Sequence, residues 1–191
     1  MIIMKKRYKD LSEWQHDRDL VITEIYKAFA NSVMPNIQDL AEPYLKEDDE
    51  EREILEYHLS NITWQELATD PAALYHIDLE ACFLSIQAIY YYLPAYMIFM
   101  LKNVMIVERH PAKSGFDSSE LTIFLICTND NLNRLWNLMT ANQKPIFINF
   151  LKLTMNHPEY YDGIEDNVEL DMDEHETAIT EFLELRMKEI M

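Results

Sequence analysis

Apolar residues return along this chain at helical intervals. Val21, Ile25, Ala28 and Phe29 fall at i, i+4, i+7 and i+8. That is one face of a helix over residues 17 to 32, closed by Asn31, Ser32 and Pro35. Residues 47 to 62 repeat the pattern with Ile54, Leu55, His58, Leu59 and Ile62 on one stripe. The opening run of that helix, Glu47, Asp48, Asp49, Glu50 and Glu51, puts negative charge at the positive end of the helix dipole. Thr63 and Glu66 have the spacing of a capping box, so a short helix starts at Trp64; Pro71 opens another short segment. Residues 78 to 92 and 94 to 108 are apolar nearly all round, the mark of helices buried on every side. Pro94 either kinks one long helix or opens a second, and the reading taken here is an apolar central helix pair around Pro94.

The second half continues in the same period. Residues 109 to 117 read as a loop. The run from Leu121 to Cys127 suits a strand as well as a helix, and with no partner strand evident it is assigned to helix. Leu132, Leu135, Trp136 and Met139 share a face. Thr140 and Gln143 form a second capping-box spacing, followed by Ile146, Phe147, Phe150, Leu151 and Thr154 on one stripe, with His157 and Pro158 as the stop. Residues 159 to 172 make an acidic connector. A last helix over 174 to 190 turns Ile179, Phe182, Leu183, Met187 and Ile190 inward. The expectation is an all-α fold, a single compact domain of about seven to nine helices. Its parts are an N-terminal arm over 1–16, a helical core over 17–158, and the acidic connector and C-terminal helix over 159–191, packed on the core.

Composition narrows the function. The chain has 191 residues and only two glycines, Gly115 and Gly163. No P-loop and no G-x-G-x-x-G phosphate cradle can be built from them, and a sheet with many primed hairpin turns is disfavoured. Cys82 and Cys127 each lie in an apolar run, with no C-x-x-C, so both read as reduced core thiols. The stretch from Ala81 to Leu101 is long enough to span a membrane. However, Ser85, Gln87, three tyrosines and Pro94 occupy its centre, where a spanning helix does not place them. The N-terminus has basic residues but no apolar run of signal-peptide length, which implies a cytoplasmic protein.

Charge changes the picture most. Sixteen basic and 34 acidic residues give a formal net charge of −18. Residues 31–60 carry −7 of it and residues 159–191 carry −10. Such a field repels phosphate, which argues against direct nucleic-acid binding. The two runs are either solvated faces with a solubilising tail or docking surfaces for a basic partner; self-repulsion of this size opposes folding.

Familiar catalytic patterns do not assemble. His175-Glu176 resembles the start of H-E-x-x-H, but the fifth position is Ile179, so the second ligand is missing. His16, His58, His76, His110 and His157 have no ligand-like spacing. Asp162 to Glu174 lacks the residue order and glycine of an EF-hand. There is no G-x-S-x-G elbow. No catalytic residue, metal site or cofactor is expected.

The segment Ile89-Tyr90-Tyr91-Tyr92-Leu93-Pro94-Ala95-Tyr96 resembles the signature of a bacterial family known only as a domain of unknown function: an aromatic, then Tyr-Tyr-Leu-Pro-Ala-Tyr/Phe and an apolar helix. Ile25 to Ala30, Trp64 to Leu67 and Gln143 to Leu151 fit the same order. The resemblance covers roughly residues 22 to 155. Its motifs are core-packing residues, so it implies a shared fold and brings no activity or catalytic residues. Pro145 departs from it, and is tolerated where the helix starts near Asn142.

The expected function is that of a small acidic cytoplasmic binding protein, an immunity-type inhibitor that blocks a basic toxin or nuclease by electrostatic docking. The expected contacts are Glu47, Asp48, Asp49, Glu50 and Glu51, with Asp171, Asp173, Glu174 and Glu176 from the second run. The alternative is a helical structural or regulatory protein acting through Tyr90–Tyr92, followed by a DNA mimic or an enzyme with an unrecognised site.

Overall fold

The computed structural model describes residues 8, 11–45, 49–70, 74, 83–109, 129–155 and 174–190. Seven α-helices lie among them: α1 (Leu11–Ala28), α2 (Glu50–Leu59), α3 (Trp64–Leu67), α4 (Ile86–Arg109), α5 (Asn129–Leu138), α6 (Gln143–Met155) and α7 (Glu174–Ile190). A 3-10 turn over Ile37–Asp39 precedes α2, and a lone antiparallel bridge joins Ala41 to Leu84. The fold is all-α, in one compact domain. The segments expected to start at Pro71 and to run over 121–127, the connector over 159–172, Cys82, Cys127, and His76, His110 and His157 lie outside the described residues.

α4 is the centre. The helix pair expected around Pro94 is instead one helix of 24 residues, about 36 Å long. Proline removes the N–H that would bond the Tyr90 carbonyl. The chain stays helical there because residues 91 to 98 are buried by neighbours on every side. α1, α3, α5 and α6 all pack on α4, and α7 packs in turn on α5 and α6.

Successive residues of α4 point about 100° apart, so the three tyrosines face three different neighbours. The Tyr90 hydroxyl donates to Oε1 of Gln143 at 2.8 Å, toward α6. Tyr91 lies against the start of α3. Tyr92 is fully buried and its hydroxyl donates to the Leu59 carbonyl at 2.9 Å, with the Ile62 carbonyl at 3.2 Å. The α2–α3 limb thus lies on one side of α4 and α6 on the other.

Helix starts follow local rules that the tertiary fold then extends. Thr63 forms the full capping box with Glu66. The Thr63 backbone N–H, and then its hydroxyl, hold the Glu66 carboxyl below its usual pKa. Ser85 caps α4, accepting from the Ala88 N–H at 3.1 Å, while its own hydroxyl donates to the Asp39 carbonyl. At α6, one of the two expected capping-box bonds forms: the Thr140 N–H donates to Oε1 of Gln143 at 2.9 Å. The Gln143 N–H goes to the Thr140 carbonyl instead. The freed end of that amide, Nε2, donates to the Ala28 carbonyl at the end of α1, 3.3 Å away. Pro145 falls in the first turn of α6, where proline is tolerated. Ser85 and Gln143 are the buried polar side chains among the described residues, and both sit at helix starts.

α1 begins at Leu11, ahead of the helix start expected at 17, and Trp14 is only 1% exposed. Residues 11–16 are therefore core-forming helix rather than arm. Its stripe runs Leu11, Trp14, Arg18, Val21, Ile25, and the arginine interrupts the apolar signal. The Arg18 guanidinium lies over the Trp14 ring, 5.7 Å from its centroid, covering the aromatic face while it pairs with Asp19. The Trp14 indole donates to the Leu153 carbonyl of α6 at 3.1 Å. α2 spans Glu50–Leu59 rather than 47–62, because Asp49 takes an extended N-cap conformation and Ser60 closes the end.

Two predictions follow from this core. Gln143→Ala removes two bonds between separate elements and the cap bond from the Thr140 N–H, and leaves their partners stranded, so it should cost about 3 kcal/mol in urea unfolding. The second concerns alkali. Burial raises the Tyr92 hydroxyl far above the usual tyrosine pKa, and also raises that of Tyr91, with the Trp64 backbone opposing and the Glu66 charge assisting. The unfolded chain releases these protons first. Stability should therefore be full below about pH 10 and fall as pH rises through the folded values. Tyr92→Phe should cost about 1 kcal/mol at pH 7 and make the alkaline loss shallower; urea midpoints at both pH values check it.

Candidate protein-interaction surface

The first acidic run sits where a helix start and a pinned loop meet. Asp49 caps α2, and Glu50, Glu51 and Glu53 fill its first turn, where the helix dipole favours them. Arg52, the one cation of α2, turns inward. Its Nε bonds the Glu56 carboxylate at 2.8 Å. Its two terminal nitrogens donate to the carbonyls of Leu45 at 3.2 Å and Gln38 at 3.3 Å. The guanidinium is thereby consumed by its own helix and by the 37–45 loop. Glu50, Glu51 and Glu53 make no ion pair among the described residues.

That loop is held at its other side too. Ser85 N–H donates to the Leu40 carbonyl at 2.8 Å, and Glu42 N–H to the Phe83 carbonyl at 2.8 Å. Leu40, Ala41 and Leu45 are buried, while Ile37 and Tyr44 between them project outward at 49% and 65% exposure. On α2, Tyr57 is 83% exposed and meets the His58 ring edge-on at 5.0 Å. Glu50, Glu53 and Tyr57 fall at i, i+3 and i+7, one outer stripe of the helix. A charged stripe ending in an exposed aromatic, beside a rigid loop carrying another, combines steering charge with the residue type that anchors interfaces.

The expected contacts divide. Asp49, Glu50 and Glu51 lie on this surface, Asp49 and Glu51 half-buried and Glu50 exposed. Glu47 and Asp48 lie outside the described residues, as do Asp171 and Asp173. Glu174 and Glu176 belong to the first turn of α7, but their side chains are outside the described set. Farther along α7 the charge is mixed and partly spent internally. Arg186 bonds Glu189 and Asn133, and the Trp136 indole donates to Glu189 at 3.1 Å. Trp136 also has Lys144 and Arg186 against its ring, at 4.9 and 5.6 Å. α7 packs on α5 and α6, while the end of α2 meets Tyr92 of α4.

Glu53, Tyr44 and Tyr57 were not among the expected contacts. Tyr57 was open to sequence reading: it falls off the buried stripe of its own helix. Tyr44 was not, because no periodicity governs an irregular loop.

No family model, curated protein or solved structure matches this chain. Among the described residues, no three His, Cys, Asp or Glu side chains gather to hold a metal ion, and no helix is long and apolar enough to cross a membrane.

The clamp can be tested alone. Arg52→Ala should cost about 1–2 kcal/mol, since it strands two carbonyls and a carboxylate at a partly exposed site. Amide exchange in residues 37–45 should accelerate more than in α4; uniform acceleration would place Arg52 in the global core instead.

Proposed function

We propose that this chain is a small acidic binding protein of the cytoplasm, an immunity-type inhibitor that docks on a basic toxin or nuclease and blocks it. The observation that carries this reading is the outer face of α2. Glu50, Glu51 and Glu53 make no ion pair among the described residues, the helix's own cation is turned inward, and two exposed tyrosines stand on or beside the face on a pinned support. The helix dipole accounts for acids in the first turn. It does not account for Tyr57, an aromatic exposed over most of its surface and in line with Glu50 and Glu53. The acids of the second run, Asp171, Asp173, Glu174 and Glu176, add to the net negative charge of the chain. A field of this size accelerates encounter with a cationic cleft, and the rigid loop limits the ordering cost of contact. The tyrosine segment of α4 supports the regulatory alternative less well, since Tyr91 and Tyr92 are buried.

The test is isolation of the chain with its bound partner from its own cell, followed by kinetics with that partner. A basic partner whose activity is blocked is expected. Its association should slow steeply as salt rises above about 0.15 M, where charge reaches only roughly 8 Å, with a smaller effect on dissociation. An acidic partner, or association indifferent to salt, overturns the reading.

A further inference from the structure

The exposed tyrosine on α2 specifies what kind of basic partner the surface fits. We infer that the Glu50–Glu53–Tyr57 stripe receives an arginine-bearing helix of the partner, with a guanidinium stacked on the Tyr57 ring. This rests on the binding-protein reading above and deepens it.

The occupant follows from charge and shape. Two copies of this chain do not pair through this face, because residues 31–60 carry −7 and two such faces repel. Nucleic acid and anionic lipid are excluded by the same sign. A cationic protein segment remains. The stripe spans seven residues of one helix, about 10 Å. Glu50 and Glu53 lie about 5–6 Å apart at their Cβ atoms, which matches cations three or four residues apart on a partner helix.

Arginine rather than lysine follows from the ring. Tyr57 is 83% exposed, and its only ring neighbour among the described residues is His58, which meets it edge-on. A planar guanidinium can lie on an aromatic ring and fork to a carboxylate one turn away; an ammonium binds as a point charge. Rings of this chain accept either cation, since Arg18 lies over Trp14, and both Arg186 and Lys144 lie over Trp136; the fork to Glu53 is what favours arginine. On α2 the intrinsic arginine, Arg52, is committed to Glu56 and the loop, which leaves the Tyr57 ring open to a cation from outside.

The test uses the full chain and two helical peptides of about 20 residues, one alanine–arginine and one alanine–lysine, titrated at low and moderate salt. The variants are Tyr57→Leu, Tyr57→Phe, the pair Glu50→Gln with Glu53→Gln, and a control pair on α7, Glu181→Gln with Glu184→Gln; circular dichroism checks each fold. The arginine peptide should bind more tightly than the lysine peptide. Tyr57→Leu should weaken it about fivefold and erase the preference, while Tyr57→Phe stays within about twofold. The α2 pair should weaken both peptides about tenfold and the α7 pair much less. If Tyr57→Leu binds as wild type while the α2 pair still weakens binding, this inference falls and the electrostatic reading stands. If the α7 pair matters as much as the α2 pair, the site falls too, and binding is diffuse. If neither peptide binds in a salt-sensitive way, both readings fall.

Discussion

A 24-residue helix that is apolar on nearly every side must be covered on every side, and α4 imposes that demand on the rest of the chain. Covering it brings polar tips into the interior with it. The hydroxyls of Tyr90 and Tyr92 find partners only because neighbouring elements present an amide or a carbonyl at the right place. An unpaired buried polar group costs more than the bond gains. The tyrosines therefore do more than fill space. Tyr90 sets where α6 begins relative to α4, and Tyr92 sets where α2 ends. Gln143 completes the arrangement by reaching α1 from the same amide.

This interior division of labour leaves charge to the outside. The buried polar side chains among the described residues are neutral, and both serve helix starts. The acids of α2 take no part in the core. Arg52, the cation of that helix, is spent on Glu56 and on holding a loop, so the face combines a rigid support with the unspent charge of Glu50, Glu51 and Glu53. Rigidity and unspent charge together are what fast, specific docking requires, and either alone is common on a solvated helix.

Much of this was legible in local pattern. The stripe Leu132, Leu135, Trp136, Met139 is buried as read, as are Ile146, Phe147, Phe150 and Leu151. The Thr63–Glu66 box forms because all of its atoms lie within one turn. The readings that shifted involve atoms from elsewhere. Trp14 is in the core although Arg18 interrupts the apolar stripe of α1, because the guanidinium lies over the indole ring. Pro94 marked a break because it removes a helical hydrogen bond, but packing from every side outweighs one lost bond. The second capping box is half-formed because Gln143 is shared with Tyr90 and Ala28, which lie 53 and 115 positions away.

By itself the sequence determined that the chain is helical, which stripes turn inward, and that its charge falls in two acidic blocks. Period and composition are local properties, carried by neighbours within one or two turns. It took the assembled fold to decide that Arg52 spends its charge on Glu56 and a loop, that Tyr44 and Tyr57 are left outside, and that α7 packs on α5 and α6. Those outcomes depend on which distant carbonyls and carboxylates come within about 3 Å of a donor. Such distances arise when the helices assemble and are not encoded in any single one of them.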